Sequence, residues 1–491
     1  MRSWLLVLPL LVSSGVSTLL VRDGSSKVIR VPFSKERVAH NQVSKREPAD
    51  GCQTTEYLRL TPQRFQQDFL FYANVTVGTP PQHIRLHIDT GSSDIWVETA
   101  DSEICRKEGG NGCDIGGTYD NATSSTAEYV EGDFSIMYVD GQYASGAYGK
   151  DTLGIGGVGV KNVQFGIGFE GTSDEGVLGI GFERRQSRVN QGLEPYPGLV
   201  TQMVAQELIN SRAYSVWLND LNAAAGEILF GGIDTGKFKG PLVTIPLSRR
   251  TDLPSPIDFI ITLHGLTVEN GDGEPRELMN TSRSVPALLD TGASFTYLPQ
   301  DVAAQLIELV GAVTVPEYKG PAVNCSKRSL EGSVDFEFAG ATIKVDLKDF
   351  IIDATDEPNE DNHILCYFGI LGMSEGSVLT LGDTFLRSAY VVYDMDNEAI
   401  SIAQTIFNST STNIMEIGSG PDAVPSATRS TTDADSIPVT ATTSAGSTND
   451  PAAKSTGSPN VSNSAATTLN NASTKLLTPF LVSIFSLAIL L

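Results

Sequence analysis

Between residues 65 and 407 the apolar positions come in short alternating runs, interrupted by Gly, Asn or Asp. A period of two turns one face of an extended segment inward, so runs such as Tyr72 to Val77 and Ala389 to Tyr393 predict β-strands joined by turns. Only Val200 to Asn210 and Val302 to Leu309 carry the spacing of a helix. The body is therefore predicted to be all-β, and the whole chain, at 491 residues, has the length of two or three globular units plus tails.

The flanks break this pattern. Arg2 precedes an apolar run from Trp4 to Val12, and small residues follow at Ser13, Ser14, Gly15 and Ser17. That order predicts a signal peptide over residues 1–17 and hence secretion. At the far end, residues 476–491 form 16 uncharged residues (LLTPFLVSIFSLAILL), short of the roughly 20 that a spanning helix needs. Small residues at Ser464, Ala465 and Ala466, then a polar spacer from Thr467 to Lys475, complete the layout of a GPI attachment signal. Asn463, Ser464, Asn470 and Asn471 are the candidate attachment residues. Residues 408–475 are rich in Ser, Thr, Ala, Asn and Pro without apolar periodicity, which predicts an unfolded, O-glycosylated stalk. Asn-X-Ser/Thr sites at Asn74, Asn121, Asn280, Asn324, Asn408, Asn460 and Asn471 agree with a secreted chain. The expected location is the extracellular face of the cell membrane, or the cell wall.

Charge sharpens the picture. The chain has 58 acidic and 34 basic residues, a formal charge of −24, which excludes nucleic acid as a partner because a phosphate backbone needs a basic surface. Five Cys and five His, scattered along the chain, make no zinc framework, so neither metal nor cofactor is expected. Residues 18–46 run against the trend. Arg22, Lys27, Arg30, Lys35, Arg37, Lys45 and Arg46 oppose only Asp23 and Glu36. This segment is predicted to be a propeptide that neutralises an acidic cleft until a protease cuts at Lys45-Arg46.

The chemistry lies in a duplication. Asp89-Thr90-Gly91-Ser92-Ser93 follows apolar Leu86 and Ile88, and Asp290-Thr291-Gly292-Ala293-Ser294 follows Ala287, Leu288 and Leu289. Val177-Leu178-Gly179 trails the first motif, and Thr380-Leu381-Gly382 trails the second at nearly the same distance. A third copy, Asp234-Thr235-Gly236, lacks both the apolar approach and the following hydroxyls, and is predicted to be a surface turn. Two matched loops facing each other would bring two carboxyls so close that they share one proton. The ionised partner can then activate a water, while the protonated one assists the scissile carbonyl. Thr90 and Thr291 are placed to brace the loops by hydrogen bonds across to one another.

These segments resemble the pepsin-like aspartic proteases, and among them the fungal, GPI-anchored yapsin-like group. The resemblance spans residues 70 to 405 and rests on DTGSSDIWV (89–97), SIMYVDGQYASG (135–146), GVLGIGF (176–182), LLDTGASFTYLP (288–299) and LTLGDTFLRSAYVVYD (379–394). It implies a bilobal all-β fold with the cleft between an N-terminal lobe (65–245) and a C-terminal lobe (246–407). It further implies catalytic Asp89 and Asp290, with Thr90, Gly91, Ser92, Thr291 and Gly292 in support. Residues 135–146 become the flap, where Tyr138 hydrogen bonds toward Trp96. Asp140, two positions on, is the expected reader of a basic side chain next to the cut. Disulfides Cys105–Cys113 and Cys325–Cys366 also follow from the resemblance, which leaves Cys52 over.

One departure stands out. Relatives often carry Thr or Ser three residues after the second aspartate, where this chain has Ala293. Without that hydroxyl, Asp290 is expected to be the more readily protonated partner. The expected protein is a monomeric endopeptidase acting on polypeptides and held inactive by its own propeptide. The alternative is a non-catalytic wall or adhesion protein on the same fold.

Overall fold

The computed structural model describes residues 27–39, 67–106, 113–223, 225–271, 274–314, 320–354, 364–431 and 435–437. The stretch 1–17 expected to be a signal peptide, the Lys45-Arg46 pair, Cys52, Asn460, the candidate attachment residues Asn463, Ser464, Asn470 and Asn471, and the apolar tail lie outside the described residues.

The duplicated motifs seed two lobes of one plan. In the first, strand Gln82–Asp89 runs parallel to Gly176–Gly179, with Asp89 opposite Gly179. Ile95–Glu98 pairs antiparallel to the latter and parallel to Val158–Gly171. The second lobe repeats this arrangement. Val285–Leu289 runs parallel to Leu379–Leu381, and Thr296–Pro299 pairs antiparallel to that strand and parallel to Ile370–Met373. Both DTG loops thus leave buried strands whose partners carry the Leu-Gly segments. The fold is all-β and bilobal; among the described residues the longest helices are Leu199–Ala205 and Gln300–Val310.

The lobes are scaffolded differently. First-lobe strands belong to a 14-stranded sheet that continues through Ala213–Trp217 and Ala225–Phe230 into the second-lobe strands Ala389–Asp394 and Ala399–Thr405. The second loop's own strands form a separate five-stranded sheet. One buried apolar cluster runs through both lobes, from Leu86 and Ile88 to Ala287 and Leu289.

The basic segment departs from the expected position across the cleft. Its described part forms strand Ile29–Ala39 inside the large sheet, between Ala225–Phe230 and Gln67–Val77. Ile29, Val31 and Phe33 alternate into the core, a strand signal that the segment's charge had masked. Its cations still meet acids of the body: Arg30 pairs with Glu227 at 2.5 Å, and Lys35 with fully buried Asp383 at 2.9 Å. Burial pulls the Lys35 amine down to about 8, while Asp383 opposes that fall.

The C-terminal boundary also moves. The stalk was expected to begin unfolded at Asn408, yet residues 408–431 form a strap on the back of the sheet. Ile414–Glu416 pairs with Gly232–Asp234, and Ala427–Arg429 pairs parallel to Phe238–Pro246. Ile417, Ala423 and Val424 cover Trp217, Ile233, Leu242 and Tyr390. The third DTG explains the strap's hold. It is a turn, but no surface one. Asp234 is fully buried and accepts from the Asn413 amide (2.6 Å), the Thr412 hydroxyl (2.8 Å) and the Gly236 amide (2.9 Å). Polar residues taken for a solvated tail thus satisfy a buried carboxylate.

Candidate active site

The two DTG loops interlock at the junction of the lobes. Thr90 Oγ1 donates to the Leu289 carbonyl (3.0 Å) and accepts from the Thr291 amide (3.0 Å). Thr291 Oγ1 mirrors this, donating to the Ile88 carbonyl (2.9 Å) and accepting from the Thr90 amide (3.1 Å). Both hydroxyls are buried, so each bond broken would strand a polar group away from water.

The interlock forces the carboxyls together. A Cβ on Gly91 would lie 2.6 Å from the Asp290 carboxyl, and a Cβ on Gly292 would lie 2.6 Å from Asp89 Oδ1. Any side chain at either position would occupy the opposite loop's functional group, which explains glycine there independently of backbone angles.

The loops then treat their carboxyls unequally. Asp89 accepts from the Gly91 amide (2.8 Å), the Ser92 amide (3.2 Å) and the Ser92 hydroxyl (2.5 Å). Asp290 accepts from the Gly292 amide (2.8 Å), but Ala293 presents a methyl where Ser92 has its hydroxyl. Burial, and then the negative charge of Asp89, push the Asp290 carboxyl well above the ordinary range, against the pull of the Gly292 and Gly91 amides. The arrangement therefore favours a proton on Asp290 and a charge on Asp89. Chemically, it offers a base and an acid side by side.

Strands Glu128–Met137 and Tyr143–Ile155 form a hairpin over this floor, closed by Gly141 at φ 87°. The Tyr138 ring is half-buried, whereas its hydroxyl lies inside and accepts from Trp96 Nε1 at 2.8 Å. Burial, and then the charge of Asp89, hold that phenol protonated. Asp140 is exposed at the turn, and its carboxylate accepts from the Gln142 amide (2.9 Å) and side chain (2.8 Å). It therefore shapes the hairpin tip as well as facing solvent.

The other singled-out residues lie outside this centre. Cys105–Cys113 and Cys325–Cys366 are disulfides, one in each lobe. Asn74, Asn121, Asn280 and Asn408 are exposed and Asn324 half-buried. A group that sequence reasoning missed is Asp94, fully buried just beyond the first loop. Its partners lie about a hundred residues on, and no local pattern announces them.

A profile described as eukaryotic aspartyl protease matches residues 70–405. The chain is 45% identical over 363 residues to a probable aspartic-type endopeptidase opsB of Aspergillus fumigatus, covering 73% of each chain. It is 31% identical over 415 residues to the aspartic proteinase yapsin-3 of Saccharomyces cerevisiae, covering 82% of this chain and 77% of that one. An aspartic proteinase from Irpex lacteus shares the fold, with a TM-score of 0.56 at 21% identity, over 70% of this chain and 96% of the other.

Proposed function

The chain belongs to the eukaryotic aspartyl protease family and is an aspartic endopeptidase; from that premise we propose that Asp89 and Asp290 carry the hydrolysis, in unequal roles. Ionised Asp89 takes a proton from a water held between the carboxyls, and the hydroxide adds to the scissile carbonyl while Asp290 protonates its oxygen. The resulting diol collapses as Asp89 passes its proton to the leaving amine and Asp290 recovers one from a diol hydroxyl. Thr90, Gly91, Ser92, Thr291 and Gly292 hold the pair, and Tyr138 closes the hairpin over the peptide. The observation that carries this reading is the mutual approach of the loops, each glycine lying against the opposite carboxyl.

The same proposal places the enzyme outside the cell. The signal-like start, the glycosylation sites and the layout of the last thirty or so residues support secretion and a GPI anchor at the membrane or wall. Segment 18–46 acts as the propeptide, a role supported by the pairing of Arg30 and Lys35 with body acids. A preference for basic residues beside the cut rests on exposed Asp140 at the hairpin tip.

A peptide library at pH 3 to 6 tests the core of this. Pepstatin-sensitive cleavage is expected, and Asp89→Asn should lower kcat by about a thousandfold or more. Equal cutting by that variant would remove the assignment. Sequencing the cuts, with Asp140→Asn alongside, reads the basic preference, which should weaken in the variant.

A further inference from the structure

Outside the carboxyl pair, a further acid lies between the first loop and the hairpin: Asp94, five residues after Asp89 and fully buried. Its carbonyl accepts from the Gly179 amide at 3.2 Å, which ties it to the strand beside the first loop. A carboxylate taken out of water costs several kcal/mol unless it is paired. Oδ2 accepts from the Ser187 amide at 2.6 Å, and Oδ1 from the Tyr196 hydroxyl at 2.8 Å. Tyr196 is itself fixed by Gln186, which donates to its carbonyl (3.0 Å) and accepts from its amide (2.9 Å).

This segment grips both strands of the hairpin. The Ser187 hydroxyl shares a hydrogen bond of 3.2 Å with the hydroxyl of Tyr148, on Tyr143–Ile155. The Tyr148 ring meets Tyr196 edge-on at 5.8 Å and Phe134, on Glu128–Met137, at 5.2 Å. The Arg188 guanidinium lies over both tyrosine rings, at 5.7 and 5.9 Å, and pairs with Glu131 of the same strand at 3.1 Å. On the other side, Trp96 holds Tyr138 at the tip. The hairpin is thus pinned twice, at its tip through Trp96 and at its base through Asp94.

We propose that Asp94 is a positioning residue for peptide hydrolysis: its carboxylate fixes the base of the flap to the first catalytic loop through Ser187, Tyr196 and the Arg188–Glu131 pair. The inference rests on the assignment of Asp89 and Asp290 above, and it adds a residue that touches neither substrate nor reacting atoms. Loss of the link loosens the hairpin that closes over substrate, so binding suffers before chemistry does. The groups facing Asp94 are Tyr148, Tyr196, Arg188 and, beyond the arginine, Glu131, with Tyr138 on the cleft side. Burial raises the Asp94 carboxyl above its usual range, while Ser187, Tyr196 and Arg188 oppose the rise.

The test uses the processed enzyme with three changes. Tyr196→Phe removes one donor and keeps the ring, Asp94→Ala removes the acceptor, and Glu131→Gln cuts the last link at a partly exposed position without opening a cavity. Tyr196→Phe and Asp94→Ala are expected to raise KM roughly tenfold with kcat within about twofold. Glu131→Gln should act in the same direction by about threefold. Deuterium exchange at residues 134–146 should accelerate in parallel, with residues 389–405 unchanged. Unchanged KM and exchange in Tyr196→Phe and Glu131→Gln would overturn the proposal, as would a fall in kcat at constant KM. The exchange measurement needs no turnover, so it judges the Asp94 link even if Asp89→Asn were to disprove the roles of the carboxyl pair.

Discussion

The two DTG loops are built on matching strands and brace each other with the same pair of threonine bonds, yet they solvate their carboxyls differently. The first surrounds Asp89 with two amides and the Ser92 hydroxyl, whereas the second offers the Gly292 amide and a methyl at Ala293. Backbone symmetry thus coexists with electrostatic asymmetry. The symmetric part brings the carboxyls together, and the asymmetric part decides which one keeps the proton. The approach alone suffices for a shared proton, since two carboxyls this close cannot both ionise; the unequal surroundings add a bias in which of them carries it.

The symmetric part can be broken most severely at its glycines. Gly91→Ala and Gly292→Ala each put a methyl 2.6 Å from the opposing carboxyl, and each should lower kcat by about a hundredfold or more. Comparable losses are expected from both, read by steady-state kinetics together with circular dichroism to verify folding. If one variant kept near-normal activity, the loops would not be equivalent in approach.

Smaller and more selective changes test the asymmetry. Because Asp290 is raised, its proton persists as pH climbs, and activity falls on the alkaline side only when that proton leaves. Ala293→Ser would supply a hydroxyl to ionised Asp290, lower its pKa, and move the upper limb of kcat/KM down by about one pH unit. Ser92→Ala removes the matching bond from Asp89 and should lift the acid limb instead. The limbs belong to the coupled pair, so both should be recorded for each variant. An upper limb that rises in Ala293→Ser would reverse the assignment of acid and base.

The mildest change for catalysis lies far from either loop. Replacing Ile417 and Val424 by serine would strip the strap's apolar cover from Trp217, Ile233, Leu242 and Tyr390 while leaving Ser436–Ile437 in place beside the second loop's strand. That should cost roughly 3 kcal/mol or more and lower the melting temperature by about 5 °C or more, measured by calorimetry. Both pH limbs should stay in place, since the strap touches neither carboxyl.

How much of this the sequence disclosed depends on how local each signal is. The DTG loops were legible because strand, turn and hydroxyl residues are contiguous and occur twice. The hairpin was legible through its own short motif. Asp94 was not, because its partner Tyr196 is 102 residues away and only the fold brings them together. The strap escaped because its cohesion comes from Thr412 and Asn413 filling the needs of buried Asp234, with a few scattered apolar residues. Hydropathy periodicity does not register a polar segment that completes someone else's hydrogen bonds. The strand Ile29–Ala39 carried the right alternation, but its excess of cations gave the more conspicuous pattern.

The strap also sets how the body would bear load. In a chain tethered by its C-terminus, tension would enter first at Ser436–Ile437, which pairs parallel with Arg249–Arg250 and buries Ile437 against Ile260, Val378 and Leu288, and would reach Ala427–Arg429 and the Asp234 turn only afterwards. Ile260 and Leu288 belong to the separate sheet from which the second DTG loop hangs, whereas the first loop lies several strands away in the large sheet. A pull on the tail would therefore bear on the strand that carries Asp290 before it reached the large sheet, and the two carboxyls are unequally shielded from the leash.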